Sequence, residues 1–370
     1  MVFFPIPLNC RESPHGGGPN FRLEDPFGRL DSLWVDSLIS THLEGIPRSD
    51  AASFSRCNGG AVFLISTSAV DCVIGLRGSC MRNFELLTCK TVDDALDALS
   101  AHAEDGKVLA GGVALLIVMK QRIYSPDYLI DIGELSDLSY VKESGDTLCI
   151  GALTTHRTIE RDATVRSGYP LLAEAFHRVG TIRIRNQGTI GGNLCFAEPA
   201  ADPPAALTAM EAELVLRKKG GERTVSISDF FTDYYETCVE PDELLTEIRV
   251  KRLGDSWRTS YTKFTTRSKE DKPALSVGAA VEVESDGVTC KQARISVGAA
   301  VPTPRRMSEA EAHMRGKELT ESVLTEAGEL AKGAVDPIDD IRGSAEYKRA
   351  MVGVFLRRTV QAALAGNGAH

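Results

Sequence analysis

The chain has 370 residues, 43% hydrophobic and 25% charged, which is ordinary globular material for two or three domains each with its own core. A formal net charge of -9 and a pI near 5.4 exclude the usual nucleic-acid surface, because phosphate-backbone binding needs a clustered excess of Lys and Arg. Nine cysteines are scattered with no C-x-x-C and no His at zinc-ligand spacing, so no metal and no iron–sulfur cluster is expected on this chain, and a reducing, cytoplasmic setting fits best.

Residues 1–80 contain no lysine, four of the nine cysteines and the cluster Gly16-Gly17-Gly18-Pro19, without a sustained helical or strand period. They read as a poorly ordered extension, either an added arm or sequence upstream of a functional start near Met81. The most apolar run, Ala61 to Leu76, is broken by Ser66-Thr67-Ser68 and Asp71, too short and too polar for a membrane span.

From Met81 the signals sharpen. Thr91-Val92-Asp93-Asp94 fits a capping box, and Val92, Ala95, Leu96 and Leu99 share one helical face. Lys107 to Gly112 reads as a short buried strand running into a glycine pair. The apolar run Leu115 to Lys120 and a strand at Tyr128 to Ile132 follow. Thr147 to Gly151 is a further strand, and Thr154-Thr155-His156-Arg157 starts a threonine-capped helix, where His156 reads as a packing residue before a catalyst.

The stretch Ile184-Arg185-Asn186-Gln187-Gly188-Thr189-Ile190-Gly191-Gly192-Asn193 carries the strongest chemical signal. Its glycine pair lets a ligand approach bare N–H groups, which suits a phosphate or pyrophosphate, although a tight turn between strands would use the same residues. Ala205 to Met210 is helical, and Leu214 to Leu216 pairs with Thr224 to Ile227 around Gly220-Gly221. Phe230, Phe231, Tyr234 and Tyr235 have helical spacing and read as core. Strands at Ser276 to Glu284 and Val288 to Val297 flank Asp286-Gly287. Helices follow from Ser308, from Thr320 and from Ser344, the last with Tyr347, Met351, Val354 and Phe355 as its buried stripe.

The expected class is α+β: a two-subdomain domain over 81–254 (81–133 and 134–254) followed by a C-terminal α+β domain over 255–370. Motifs of serine hydrolases, zinc proteases, P-loop proteins and Rossmann folds are missing. Two glycine-pair loops about eighty residues apart remain, and together they suit the two ends of an extended diphosphate ligand such as a dinucleotide.

The set Ala110-Gly111-Gly112 with Met119-Lys120, IRNQGTIGGN at 184–193, Glu198-Pro199-Ala200-Ala201-Asp202, Tyr261-Thr262-Lys263-Phe264 and SAEYKR at 344–349 resembles the FAD-binding medium subunits of molybdenum hydroxylases, the family of carbon monoxide dehydrogenase and xanthine dehydrogenase. The resemblance covers about Met81 to Ala365. It implies two subdomains clasping FAD, with Lys107, Val108, Leu109, Ala110, Gly111, Gly112, Val113, Ala114 and Leu115 as one loop and Thr189, Ile190, Gly191, Gly192 and Asn193 as the other. It further implies Asp202 hydrogen-bonded to the cofactor, Leu244 or Leu245 bordering the isoalloxazine, and Lys263 near the ring, where a cation would stabilise charge on reduced flavin. No catalytic residue is implied.

Implied partners are an iron–sulfur small subunit and a molybdenum large subunit, arranged as a dimer of heterotrimers, with NAD, a quinone or oxygen as electron acceptor. Val113 and Ala114 stand where the family often has polar residues, and Val179 where xanthine oxidase-type members have an aromatic. A free-standing FAD-dependent oxidoreductase and a structural subunit that has lost FAD are the competing readings.

Overall fold

The computed structural model describes residues 54–57, 60–63 and 81–366. They fall in two compact units, Met1–Gly78 and Ser79–His370. In the first, β1 (Phe54–Cys57) and β2 (Gly60–Phe63) pair antiparallel. The expected disorder of 1–80 and the start at Met81 otherwise lie outside the described residues.

The second unit holds three main sheets. The first is built from β3 (Glu85–Thr88), α1 (Val92–Ala101), β4 (Gly106–Leu109), α2 (Leu115–Lys120) and β5 (Tyr128–Asp131), with the strands parallel in the order β3-β5-β4. The capping box forms as the sequence predicts: Thr91 Oγ1 accepts from Asp94 N at 3.1 Å, and Asp94 returns a carboxylate oxygen to Thr91 N at 2.9 Å. Ala95, Leu96 and Leu99 of α1 then bury against Ile130 and Ile132. The apolar run Leu115–Lys120 is a helix, with Met119 its one buried side chain.

The second sheet is antiparallel, β6 (Val141–Ser144), β7 (Thr147–Gly151), β8 (Glu213–Lys218), β9 (Gly221–Ser226) and β12 (Leu244–Lys251), in the order β6-β7-β12-β8-β9. A helical insertion separates β7 from β8: α3 (His156–Arg161), α4 (Ala163–Gly168), α5 (Pro170–His177), α6 (Ile182–Gln187), α7 (Ile190–Phe196) and α8 (Pro203–Ala209). After β9 come α9 (Ile227–Phe230), β10 (Phe231–Asp233) and β11 (Glu236–Thr237). The aromatic group does not stay together. Phe230 and Phe231 are core, edge-to-face at 5.1 Å, but the helix stops at Phe230, and Tyr235 is 54% exposed in a left-handed conformation. Helical spacing therefore failed beyond Phe231.

The third sheet, β13 (Trp257–Phe264), β14 (Leu275–Val283), β15 (Cys290–Gly298) and β16 (Arg305–Arg306), is followed by α10 (Ser308–Met314), α11 (Glu321–Gly333) and α12 (Ala345–Leu364). Strand β14 is buried on both faces. Leu275, Val277, Ala279 and Val281 join the core with α10 to α12, while Gly278 on the opposite face meets α8, where a Cβ would lie 2.9 Å from the Ala205 carbonyl. That close approach seats α8 on β14, and Asp202 at its start bonds Tyr261 and Lys263 of β13. In α12 the buried stripe is Lys348, Val352, Leu356, Thr359, Val360 and Ala363, one position away from the predicted one. Tyr347 is 42% exposed instead, because buried Lys348 pairs with Asp340 at 2.7 Å and donates to the Ile338 carbonyl.

Candidate functional site

The two glycine loops lie against each other. The first leaves the carboxyl end of the parallel strand β4, the place where open parallel sheets receive ligands. Gly111 is packed so tightly that a Cβ there would fall 2.0 Å from the Gln187 carbonyl oxygen, and Gly112 adopts a φ of +70°. From the other side, a Cβ at Gly192 would lie 3.8 Å from the Ala110 methyl.

The second loop is a helix start, which corrects the alternative of a turn between strands. Thr189 caps α7, its Oγ1 accepting from Gly192 N at 3.1 Å. The loop is bonded to the chain after β7: Ile190 N donates to Thr154 O, Gly191 N to Ala152 O, and His156 N to Gly188 O, at 3.0, 2.8 and 3.0 Å. Asn193 N completes the first helical bond to Thr189 O. The amides expected to meet a phosphate here are thus spent inside the protein. Gly191 serves packing, since a Cβ would sit 2.7 Å from that of Ala152.

The unpaired amides belong to the first loop. Among the described residues, no partner is found for the N–H groups of Gly111, Gly112, Val113, Ala114 and Leu115, which run into α2 without a side-chain cap. Successive N–H groups in a turn of this kind form an anion-binding concavity. On the second loop, the Asn193 side-chain oxygen is buried without a partner among the described residues. An amide row and an orphaned polar oxygen at the meeting of two loops fit an elongated ligand that carries both a diphosphate and hydrogen-bonding groups. Lys107, at the far end of the first loop, is exposed and lies 6.0 Å from the Tyr124 ring, while Val108, Leu109 and Ala110 are half-buried, as is the Val113–Leu115 stretch.

Asp202 and Lys263 meet at the junction of α8 and β13. Lys263 Nζ lies 2.8 Å from Asp202 Oδ2 and donates to the Arg178 carbonyl at 2.8 Å, and the Tyr261 hydroxyl donates to Asp202 Oδ1 at 2.8 Å. Burial pushes Asp202 up to about 6, against the opposing pull of Lys263 and of Tyr261. Lys263 keeps one of its three donors uncommitted to these partners. Leu244 and Leu245 are both buried and face opposite ways, Leu244 into the core of the first sheet and Leu245 into that of the second.

His156 is 2% exposed, packed on Phe176 at 5.5 Å, with Nδ1 unpartnered. Burial, reinforced by Arg185, pushes its pKa down to about 4. The ring is therefore neutral at physiological pH, and the stability that comes with its neutral form is lost as pH falls from about 6.5 through 4. His156→Phe should remove this dependence: in urea denaturation, the stability difference between variant and wild type moves in the variant's favour from pH 7 to pH 4. An unchanged difference contradicts it. Two further residues of this region, Glu160 and Arg185, form a buried ion pair that spacing did not reveal, because its members are 25 positions apart.

Residues 82–251 match the family described as the FAD binding domain in molybdopterin dehydrogenase, and residues 260–363 the CO dehydrogenase flavoprotein C-terminal domain. The carbon monoxide dehydrogenase medium chain of Hydrogenophaga pseudoflava is 35% identical over 76% of this chain and 97% of its own length. The glyceraldehyde dehydrogenase medium chain of Sulfolobus acidocaldarius is 34% identical over 74% of this chain and 95% of its own. Among solved structures, carbon monoxide dehydrogenase from Hydrogenophaga pseudoflava superposes with a TM-score of 0.75 at 35% identity, covering 77% of this chain and 99% of that one.

Proposed function

This chain belongs to the family of FAD-binding subunits of molybdopterin dehydrogenases, and from that premise we propose that its two glycine loops hold FAD and relay electrons within a molybdenum hydroxylase complex. The observation that carries the site is the row of amides from Gly111 to Leu115, without partners among the described residues, in a loop packed at Gly111 against the Gln187 carbonyl ahead of the second glycine pair. In this reading the amide row binds the diphosphate, and Asn193 bonds a hydroxyl or ring atom further along the cofactor. When bound, FAD supplies a carrier that takes up and releases electrons.

The protein's residues bind and orient. Gly111 and Gly112 bring bare backbone to the phosphates, Thr189 fixes the helix that carries Asn193, and Lys263, held by Asp202 and the Arg178 carbonyl, keeps a cation at the α8–β13 junction. Asp202 then acts on the cofactor through Lys263, and Leu244 or Leu245 forms an apolar boundary. Val113 and Ala114 remove two side-chain donors but leave their amides in the row, which favours retained FAD over a subunit that has lost it.

The same reading divides the unit into subdomains of 81–133 and 134–254 and a C-terminal domain of 255–370; each sheet has its own core, with Leu135, Leu138, Leu153 and Leu244 of the second part reaching into the first core and Tyr261 into the second. Its partners are an iron–sulfur small subunit and a molybdenum large subunit, as a dimer of heterotrimers, and its acceptor is NAD, a quinone or oxygen. A cytoplasmic setting accords with the absence, among the described residues, of any helix long and apolar enough to cross a membrane.

Reconstitution tests the assignment. Purified protein incubated with FAD and desalted should retain flavin absorbance in the visible, and a colourless product would sink the reading. Bleaching of that flavin by an organic substrate without partner subunits would favour the free-standing oxidoreductase instead.

A further inference from the structure

We propose that the buried Glu160–Arg185 pair is a positioning clamp, holding α6 where its last carbonyl walls the first glycine loop and so setting the spacing between the two loops. The inference rests on the reading of those loops as the FAD site. Helix α6 has six residues, and Arg185 is the only buried one; Ile182 and Ile184 are 54% and 37% exposed. Apolar packing therefore does not fix this helix, as it fixes most short helices.

The guanidinium fixes it. Arg185 Nε donates to Glu160 Oε2 at 2.6 Å, and Nη1 donates to the Val179 and Gly180 carbonyls, each at 2.9 Å. One side chain thus ties α6 to α3 and to the turn that leads into it. Planar, forked donors make such a junction geometrically specific in a way a lysine cannot. The second oxygen of Glu160 accepts from Arg157 and lies 3.3 Å from His177 Nδ1, so the carboxylate is itself held on both sides.

At the far end of α6, the Gln187 carbonyl is the atom that a Cβ on Gly111 would strike, and the Gly188 carbonyl accepts from His156 N at the start of α3. A shift of α6 is thereby transmitted to the wall of the amide row and to the strand-like bonding of Thr189 to Thr155.

The test measures FAD affinity of Glu160→Gln and Arg185→Lys by flavin fluorescence, beside unfolding midpoints. Glu311→Gln is the matched control, since Glu311 is also buried and paired to Arg306 through two bonds, in the core of the third sheet. Both clamp variants should weaken FAD binding about 10- to 100-fold, the loss typical when a partner that orients a binding group is removed. Glu311→Gln should lower the unfolding midpoint and leave affinity within about twofold, the two being uncoupled at independent sites. Should Glu160→Gln not fold, Arg185→Lys keeps the charge and carries the measurement. Wild-type affinity in the clamp variants, or a loss no greater than that of Glu311→Gln, overturns the clamp alone. Failure of the wild type to take up FAD removes the flavin reading and the clamp with it.

Discussion

Gly111→Ala should cost the protein its flavin. The added methyl would lie 2.0 Å from the Gln187 carbonyl oxygen and 2.9 Å from its carbon, both backbone atoms that no rotamer change can move. Either the first loop or α6 must give way, and forcing volume into a packed site of this kind costs about 1–3 kcal/mol. If that strain is relieved by separating the loops, the upper end corresponds to roughly a 100-fold loss of FAD affinity. Gly191→Ala should come next, its methyl 2.7 Å from the Ala152 Cβ and 2.8 Å from the Ala152 carbonyl oxygen. Gly192→Ala should be mildest, because its one close neighbour, Thr189 Oγ1 at 2.9 Å, is the end of a side chain. Titrating FAD into the three purified variants gives the order directly. Equal affinity for Gly111→Ala and Gly192→Ala would show that contact between the loops does not govern binding.

That ranking inverts the emphasis the sequence suggests. The TIGGN motif is conspicuous, yet its Ile190, Gly191, Gly192 and Asn193 amides are all bonded within the protein. The first loop looks plainer, with Val113 and Ala114 in it, and it has the unpaired amides. Spacing and residue type reveal where a backbone can approach a ligand, whereas the state of each N–H depends on which strand or loop lies beside it. Locally determined features were legible for the same reason. The caps at Thr91, Thr155 and Thr320 form where the sequence places them, because each needs only a hydroxyl and an amide a few residues apart. Lys348 and the Glu160–Arg185 pair were not legible. A buried charge becomes affordable only when a partner arrives from elsewhere in the fold, and no helical period announces it.

The largest effect on stability should come from the junction of α8 with β13, and its size should depend on pH. Asp202 and Lys263 are buried together, with side chains 6% and 3% exposed. Breaking a buried pair by removing one partner typically destabilises by about 3–5 kcal/mol, since it strands the other charge. Asp202→Asn strands the Lys263 ammonium, although the amide oxygen can still accept from Tyr261. Lys263→Met strands a carboxylate that burial has already raised to about 6. A carboxyl group raised in the folded state contributes stability that is present at low pH and lost as pH rises through its folded pKa. Without the ammonium, the pKa rises further and the loss extends to higher pH. Lys263→Met should therefore be strongly destabilised relative to wild type at pH 8 and recover much of the difference by pH 5, where Asp202 takes up a proton and remains a neutral hydrogen-bonding partner for Tyr261. The double variant Asp202→Asn/Lys263→Met leaves no stranded charge, so it should be more stable than the sum of the single losses predicts, and nearly flat in this pH range. Urea denaturation of the four proteins at pH 5 and pH 8 decides the matter. A Lys263→Met penalty equal at both values would mean that solvent reaches Asp202 when its partner is gone, and the junction would then be open where the structure closes it.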